Sequence, residues 1–266
     1  MTQAQRRMFL IRSLIDEKTE YSGMDIPQEA SGQRQLLRSL MNVREPKAAG
    51  AKFLLVQDEY LRRELEDRGV TDINDLHPVC GDLYIWQGDI TRLRCGAIVN
   101  AANSGMTGCY VPCHNCIDNC IHTYAGIQLR LECSDIMRRQ GREEPTGNAK
   151  ITRAYNLPCD YILHTVGPII TGGVTAEDER LLASCYRSCL ELAEHNAVAS
   201  IAFCCISTGV FHFPNERAAE IAAETVRRFK TETGSKMRVI FNVFNDRDRE
   251  IYERLLETDK TAACGT

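Results

Sequence analysis

From residue 83 onward, short apolar segments alternate with longer amphipathic ones, and this alternation constrains the fold more than any other feature of the chain. The segments expected to be strands are residues 83–87, 97–100, 148–154, 161–166, 201–206 and 236–244. The segments expected to be helices are residues 117–131, 178–195, 215–229 and 248–257. Strands that alternate with helices predict an α/β domain with a largely parallel sheet. Ligands of such domains bind at the carboxyl ends of the strands.

The first 80 residues differ from the rest because they are polar and helical in pattern. Apolar residues recur at helical spacing in residues 34–43 and 53–68, and Pro46 and Gly69 follow as stop signals. We therefore predict an N-terminal helical extension at residues 1–80, packed on a main domain at residues 81–266.

Composition excludes several classes of protein. The 266 residues are 44% apolar and 26% charged, which is typical of a globular chain. The net charge of −4 argues against nucleic acid or an anionic membrane as a partner. The longest apolar runs are far shorter than the roughly 20 residues that span a bilayer. Residues 1–10 lack the pattern of a signal peptide, so a cytoplasmic location is expected.

The thirteen cysteines are unevenly distributed. Four of them, Cys109, Cys113, Cys116 and Cys120, lie in one short segment that also contains His114. Thiolates and imidazole are ligands that zinc prefers, so this segment predicts a metal site. The spacing leaves two alternatives open, a catalytic site with three protein ligands or a structural site closed by a fourth cysteine.

Two loops join the ends of predicted strands to helices. The first covers residues 100–116, and the second follows the apolar segment 201–206. Small residues in such loops leave backbone N–H groups free to bind a diphosphate, although the same residues are also typical of tight turns. The diphosphate-binding candidates in the second loop are Ser207, Thr208, Gly209, Val210 and Phe211. A Gly-x-Gly-x-x-Gly fingerprint after a strand is missing from the sequence, which argues against a nicotinamide-dependent oxidoreductase.

Several segments, in this order, resemble a macrodomain. They read LYIWQGDIT from residue 83, IVNAANS from 98, IDNCIH from 117, HTVGP from 164 and ISTGVF from 206, and the match continues through residues 239–252. The resemblance covers about residues 81–258. It implies a three-layer α/β/α fold with a mixed, largely parallel sheet, and a domain that binds ADP-ribose or cleaves it from modified proteins.

The segment at residues 108–118 departs from the glycine run of most macrodomains and is similar to the zinc-dependent branch of the family. In that branch a Cys-x4-His-x-Cys segment supplies the metal ligands, which implies Cys109, His114 and Cys116 here. The predicted N-terminal helical extension is also similar to that of this branch. The branch often accompanies a class M sirtuin that ADP-ribosylates a lipoyl-carrier protein, so the resemblance implies such a modified protein as substrate and ADP-ribose as product.

The resemblance also implies the residues that contact the substrate. Asp118 and Asn103 would lie at the distal ribose, and His122 would share a helix face with Asp118 because the two are four residues apart. Asp89 would accept a hydrogen bond from the adenine amino group, with the Ile90 backbone beside it. Each also has an ordinary alternative, as a turn, cap or core residue.

The remaining candidates flank the same ligand. Asn100 would lie close to Asn103, and Phe211 would cover the diphosphate and distal ribose. Phe244 and Asn245 would flank the adenine and its ribose, although Phe211 and Phe244 could equally be core aromatics.

Three hypotheses follow for the function. The first is a zinc-dependent hydrolase that removes mono-ADP-ribose from protein side chains, with an ester to a carboxylate as the favoured linkage. The second is an ADP-ribose reader without turnover, in which zinc is structural. The third is a hydrolase of a free nucleotide-sugar metabolite.

Overall fold

The structure is a computed structural model that describes residues 1–263, with side chains through Glu257. The helices are α1 (Gln3–Asp16), α2 (Ala30–Val43), α3 (Ala51–Arg68), α4 (Ile117–Ala125), α5 (Ile127–Gln140), α6 (Ala176–His195), α7 (Asn215–Thr233) and α8 (Asp246–Ala263). The strands are β1 (Thr71–Asp72), β2 (Leu83–Gln87), β3 (Leu93–Arg94), β4 (Ala97–Ala102), β5 (Ala149–Arg153), β6 (Tyr161–Val166), β7 (Ser200–Phe203) and β8 (Arg238–Val243).

Six strands form one sheet in the order β2-β8-β7-β4-β6-β5, and the short β1 and β3 pair separately. All neighbours in the large sheet run parallel except β5, which is antiparallel to β6. The central strands β4, β7 and β8 are buried on both faces, so other layers must cover both sides. The predicted α/β fold with a mixed, largely parallel sheet is confirmed.

The apolar core has two main parts. The larger one surrounds the sheet, and the smaller one is formed by α1, α2 and α3 together with Ile127. The smaller core follows from the apolar stripe of α2, where Leu37, Leu40 and Met41 are buried. The domain boundary at residue 80 stays a prediction. Within the described residues, no helix is long and apolar enough to cross a membrane.

The helix predicted at residues 117–131 is instead two helices, separated at Gly126. This glycine has a φ of +100°, and a Cβ there would lie 2.7 Å from the side-chain amides of Gln57 and Gln128. Both the backbone conformation and the close approach of α3 therefore require a residue without a side chain. The strand predicted at residues 201–206 ends at Phe203, because the following buried residues turn into the loop that contains Ser207, whose φ is +64°.

Candidate active site

A buried carboxylate lies where β4 ends and α4 begins. Asp118 is in the first turn of α4 and is 5% exposed. The side-chain amide of Asn100 donates to its Oδ1 at 2.8 Å, and that of Asn103 donates to its Oδ2 at 3.3 Å. Burial raises the pKa of Asp118 to about 6, while the hydrogen bond from Asn100 and the charge of Arg130 act in the opposite direction.

The two asparagines have different surroundings. Asn100 is fully buried, whereas Asn103 is exposed at the mouth of the site and also donates to the Gly108 carbonyl at 3.1 Å. The predicted pairing of Asn103 with Asp118 is therefore present in the structure. The fully buried Asn100 fixes the orientation of the Asp118 carboxylate by this hydrogen bond, and its contact with a substrate stays a prediction.

His122 lies one turn after Asp118, with Nε2 3.6 Å from Asp118 Oδ1. Neither of its ring nitrogens has a hydrogen-bond partner among the described residues. Burial lowers the pKa of His122 well below its usual value, so the ring is neutral. A neutral imidazole with free nitrogens beside a carboxylate can bind a water or a hydroxyl group.

A second histidine, which the sequence analysis did not assign, supports Asn100. Asn100 donates to His164 Nδ1 at 3.1 Å, and His164 Nε2 lies 2.9 Å from Thr152 Oγ1. Because Nδ1 accepts, the proton of the neutral ring belongs on Nε2. Burial lowers the pKa of His164 to about 3. The signal in the sequence was a histidine inside the otherwise apolar strand β6.

The predicted metal ligands come together. The ligand atoms of Cys109, His114 and Cys116 all lie within 4.8 Å of one another, and Cys109 Sγ is 3.6 Å from His114 Nδ1. Two sulfurs and one imidazole in this arrangement fit zinc, which takes such ligands at tetrahedral geometry. Cys113 and Cys120 belong to neither group of potential metal ligands within the described residues. Their thiols contact α2 instead, Cys113 at Ser39 Oγ and Cys120 at the Arg38 guanidinium.

The second group of potential ligands is buried and consists of His122, Cys133 and His164. Cys133 Sγ is 3.9 Å from His164 Nε2, which already contacts Thr152. Burial raises the pKa of the Cys133 thiol far above its usual value, so this group is a neutral part of the core.

At the other end of the site, Asp89 is held by two elements. Its Oδ1 accepts from the backbone and the hydroxyl of Thr91, and its Oδ2 accepts from Arg68 at 3.0 Å. The Arg68 guanidinium also stacks on the Tyr124 ring at 3.8 Å. Ile90 is buried directly after Asp89. Arg68 is not predictable from the sequence, because nothing in the local pattern connects the end of α3 to residue 89.

The loop predicted to bind a diphosphate follows β7, the neighbour of β4 in the sheet. Ser207 is buried and Thr208 is half-buried, whereas Gly209 and Val210 are exposed. Phe211 is half-buried, and its carbonyl accepts from the backbone of Ile170 at 2.8 Å. The carboxyl ends of parallel neighbours lie at the same edge of a sheet, so this loop and the loop that follows β4 begin at the same edge.

Two candidates lie after β8. Phe244 is 78% exposed, so the alternative of a core aromatic is wrong for this residue, because an exposed ring contributes little to a core. Asn245 accepts from the Asp248 backbone at 2.9 Å and donates to its carboxylate at 2.8 Å, which caps α8. Both residues stay candidates for the adenosine end of a ligand.

Comparison with known proteins places the fold in a family. The family described as "Macro domain" matches residues 99–222. A protein-ADP-ribose hydrolase of Treponema medium is 57% identical over 260 residues, covering 96% of this chain and all of that protein. A protein-ADP-ribose hydrolase of Staphylococcus aureus (strain MSSA476) is 48% identical over 256 residues, covering 96% of each chain.

Solved macrodomain structures are also similar to this chain. The Trypanosoma brucei macrodomain in complex with ADP-ribose has a TM-score of 0.64 at 31% identity, covering 82% of this chain and 94% of that one. The Oceanobacillus iheyensis macrodomain with ADP has a TM-score of 0.60 at 36% identity, covering 71% and 96%. The chain belongs to the macrodomain family. Within it, the similarity to the protein-ADP-ribose hydrolases of Treponema and Staphylococcus extends over almost the whole chain.

Proposed function

We propose that this protein is a zinc-dependent hydrolase that removes mono-ADP-ribose from protein side chains. The observation that carries the proposal is the buried Asp118 carboxylate. It accepts a hydrogen bond from the exposed Asn103 and closely follows the segment of the three predicted ligands in the chain. The names of the near-full-length relatives support hydrolysis of protein-linked ADP-ribose.

Cys109, His114 and Cys116 would hold the metal, which leaves one position of a tetrahedral zinc site for a ligand. When bound there, zinc supplies a Lewis acid that binds a ribose hydroxyl or a water and lowers its pKa. The three-ligand arrangement favours a catalytic over a structural site, because the thiols of Cys113 and Cys120 contact α2 instead.

In this proposal the chain's own residues bind the substrate and accept the proton. Asp118 accepts a proton from the attacking water, which is a role that its pKa near 6 suits at neutral pH. Asn103 orients a distal ribose hydroxyl beside that carboxylate. Asp89 accepts from the adenine amino group, and the backbone of residues 207–211 binds the diphosphate. Binding of the ADP portion then aligns the scissile bond at Asp118.

We propose a modified lipoyl-carrier protein in the cytoplasm as the substrate class, with ADP-ribose attached to an acidic side chain. A carboxylate is a good leaving group, so an ester needs less help from a general acid than an amine linkage does. Free ADP-ribose is the product, and a sirtuin-type transferase is the partner activity that would make the substrate.

The first experiment measures release of ADP-ribose from a mono-ADP-ribosylated lipoyl-carrier protein, with and without a strong zinc chelator. We expect the chelator to abolish release and added zinc to restore it. His114→Ala should lose both zinc and release, whereas Cys113→Ala, the matched control, should retain zinc and some activity.

Three outcomes would contradict the proposal. Release that continues after complete removal of the metal would exclude the zinc mechanism. Binding of ADP-ribose with no release in any condition would identify a reader. Hydrolysis of free nucleotide sugars, but not of the modified protein, would identify a metabolite hydrolase.

A further inference from the structure

Helix α2 lies against the segment that carries the three predicted metal ligands, residues 109–116, which we call the metal segment. Asn42 of α2 is 1% exposed and lies at the centre of the contact. Its Oδ1 accepts from the backbone N–H of Cys113 at 2.9 Å, and its Nδ2 donates to Thr123 Oγ1 at 2.9 Å. One side chain of the extension therefore connects the metal segment to α4.

The backbone that Asn42 holds is in an unfavourable conformation. Cys113 has a φ of +53°, which residues with a side chain rarely adopt. The His114 backbone donates to the Val111 carbonyl at 3.2 Å, with Pro112 second and Cys113 third in the turn, as in a type II turn. Glycine normally occupies that third position, so the turn needs an external contact to persist in this chain.

Arg38 lies one turn before Asn42 on α2 and contacts a different part of the metal segment. Its Nη2 donates to the His114 carbonyl at 2.7 Å and to Asn119 Oδ1 at 2.9 Å. Asn119 is fully buried, and its amide donates to the carbonyls of Cys109 and Val111 at 3.3 and 2.9 Å. The carbonyls of two predicted ligand residues are thus held by one arginine–asparagine pair.

The end of α2 is fastened by a buried cation. Arg130 of α5 donates through Nη1 to the carbonyls of Met41, Asn42 and Arg44, and through Nε to the carbonyl of Thr107. The cation neutralises the partial negative charge of the α2 C-terminus. It also links this helix end to Thr107, two residues before the metal segment.

We propose that Arg38 and Asn42 are positioning residues that hold the metal segment in its ligating shape before the metal binds. The inference rests on the proposed function, since it concerns the zinc site assigned there. It gives the helical extension a role in the site chemistry, through the hydrogen bonds at His114 and Cys113. A segment already ordered loses less conformational entropy on binding, so its metal affinity is higher.

The test compares Arg38→Ala and Asn42→Ala with the parent chain and with Gln35→Ala. Gln35 is an exposed residue on the same helix, and its carbonyl, which the Cys113 thiol contacts, survives the substitution. The readout is the rate at which each zinc-loaded protein transfers its metal to a chromophoric chelator. We expect release to be faster by about 10- to 100-fold in the two variants and unchanged in Gln35→Ala.

A second readout needs no metal. Hydrogen exchange of the amides in the metal segment is measured on the metal-free proteins, and faster exchange is expected there for Arg38→Ala, with no change in β4. Asn42 is buried, so Asn42→Ala could fail to fold. In that case Arg38→Ala tests the positioning role by itself, because Arg38 is half-buried.

The failure of the proposed function and the failure of the positioning role give different results. A parent chain that binds no zinc would overturn the metal assignment in the proposed function. A parent chain that binds zinc, with Arg38→Ala releasing it no faster than Gln35→Ala does and exchanging its metal segment at the parent rate, would overturn the positioning role alone.

Discussion

At the scale of single residues, the site depends on how Asp118 is surrounded. Burial disfavours its charge, and the amides of Asn100 and Asn103 favour it by donating to each oxygen. The carboxylate is therefore fixed in orientation and has a pKa raised to about 6. Asn100 is fixed in turn by His164, so a residue on β6 orients a carboxylate on α4.

The first prediction concerns Asp118→Asn, which keeps the shape of the side chain but removes the proton acceptor. We expect the rate of ADP-ribose release to fall by about 10²- to 10⁴-fold, which is the usual contribution of a general base, with the Kd for ADP-ribose little changed. Asp135→Asn is the control, since Asp135 pairs with Arg138 on an exposed surface. Turnover retained in Asp118→Asn would remove the residue from catalysis.

The second prediction concerns the neutral His164. Its pKa is lowered to about 3 in the folded chain, so the unfolded chain takes up the proton first as the pH falls. The stability that the neutral ring contributes is complete above about pH 6.5, the unfolded pKa, and is lost as the pH falls toward 3. Between about pH 7.5 and 5.5 the loss for one such histidine is on the order of 1 kcal/mol.

Urea unfolding at both pH values checks this. His122 titrates in the same direction, so the comparison is between the parent chain and His164→Gln, which lacks one titrating ring. We expect the variant to be less stable at the higher pH and to lose less stability on acidification. An identical loss in both proteins would show that His164 is not neutral for the reason given.

At the scale of elements, the backbone path of the loop between β4 and α4 requires a glycine at position 108. This glycine has a φ of +87°, and a Cβ would lie 2.8 Å from the ring of His122. The ring of His122 is buried, with 4% of the residue exposed. The loop therefore packs its backbone directly on the helix that carries Asp118.

The third prediction follows for Gly108→Ala. The positive φ alone costs an L-residue about 1–2 kcal/mol, and the contact with His122 adds to it, so we expect the free energy of unfolding to fall by at least about 2 kcal/mol. The control is Gly172→Ala, where a Cβ would meet nothing within 4 Å. Urea denaturation of the two variants measures the difference, and equal midpoints would contradict the account.

At the scale of the whole molecule, the helical extension meets the sheet domain through apolar contacts, such as Ile127 in the core of α1–α3, and through a set of polar contacts. Asp58 of α3 is the clearest example, since its Oδ1 accepts from Gln128 at 2.9 Å and from Asn156 at 2.8 Å. The neighbouring Gln57 accepts from the Ile127 backbone at 3.0 Å and donates to Gln128. These hydrogen bonds connect α3 of the extension to α5 and to residue 156 of the sheet domain.

The fourth prediction concerns Asp58→Ala, which leaves the donors of Gln128 and Asn156 without their shared acceptor. We expect a loss of about 1–3 kcal/mol in the free energy of unfolding and earlier proteolysis between the extension and the sheet. Glu59→Ala is the matched control, because Glu59 pairs with Arg6 at the surface. Calorimetry and limited proteolysis check this, and equal behaviour of the two variants would mean that the junction depends on other contacts.

Much of the site was predictable because its parts are close in sequence. One loop and the helix start after it contain all of these candidates, and each residue type indicates a specific chemistry. They are Asn103, Cys109, His114, Cys116 and Asp118. The element boundaries were less predictable. Two helices replaced the one expected at residues 117–131, because Gly126 is required by a contact with Gln57, some 70 residues away.

The sequence by itself determined the order of strands and helices, the largely parallel sheet and the residue types from which the candidate site was predicted. Hydrophobic periodicity and short motifs carry that information, because both depend on neighbours along the chain. The tertiary structure alone decided that Arg38 and Asn42 hold the metal segment, that Arg68 holds Asp89 and that His164 orients Asn100. These pairs are separated by about 20 to 80 positions, and no local pattern encodes a contact that exists only after the chain has packed.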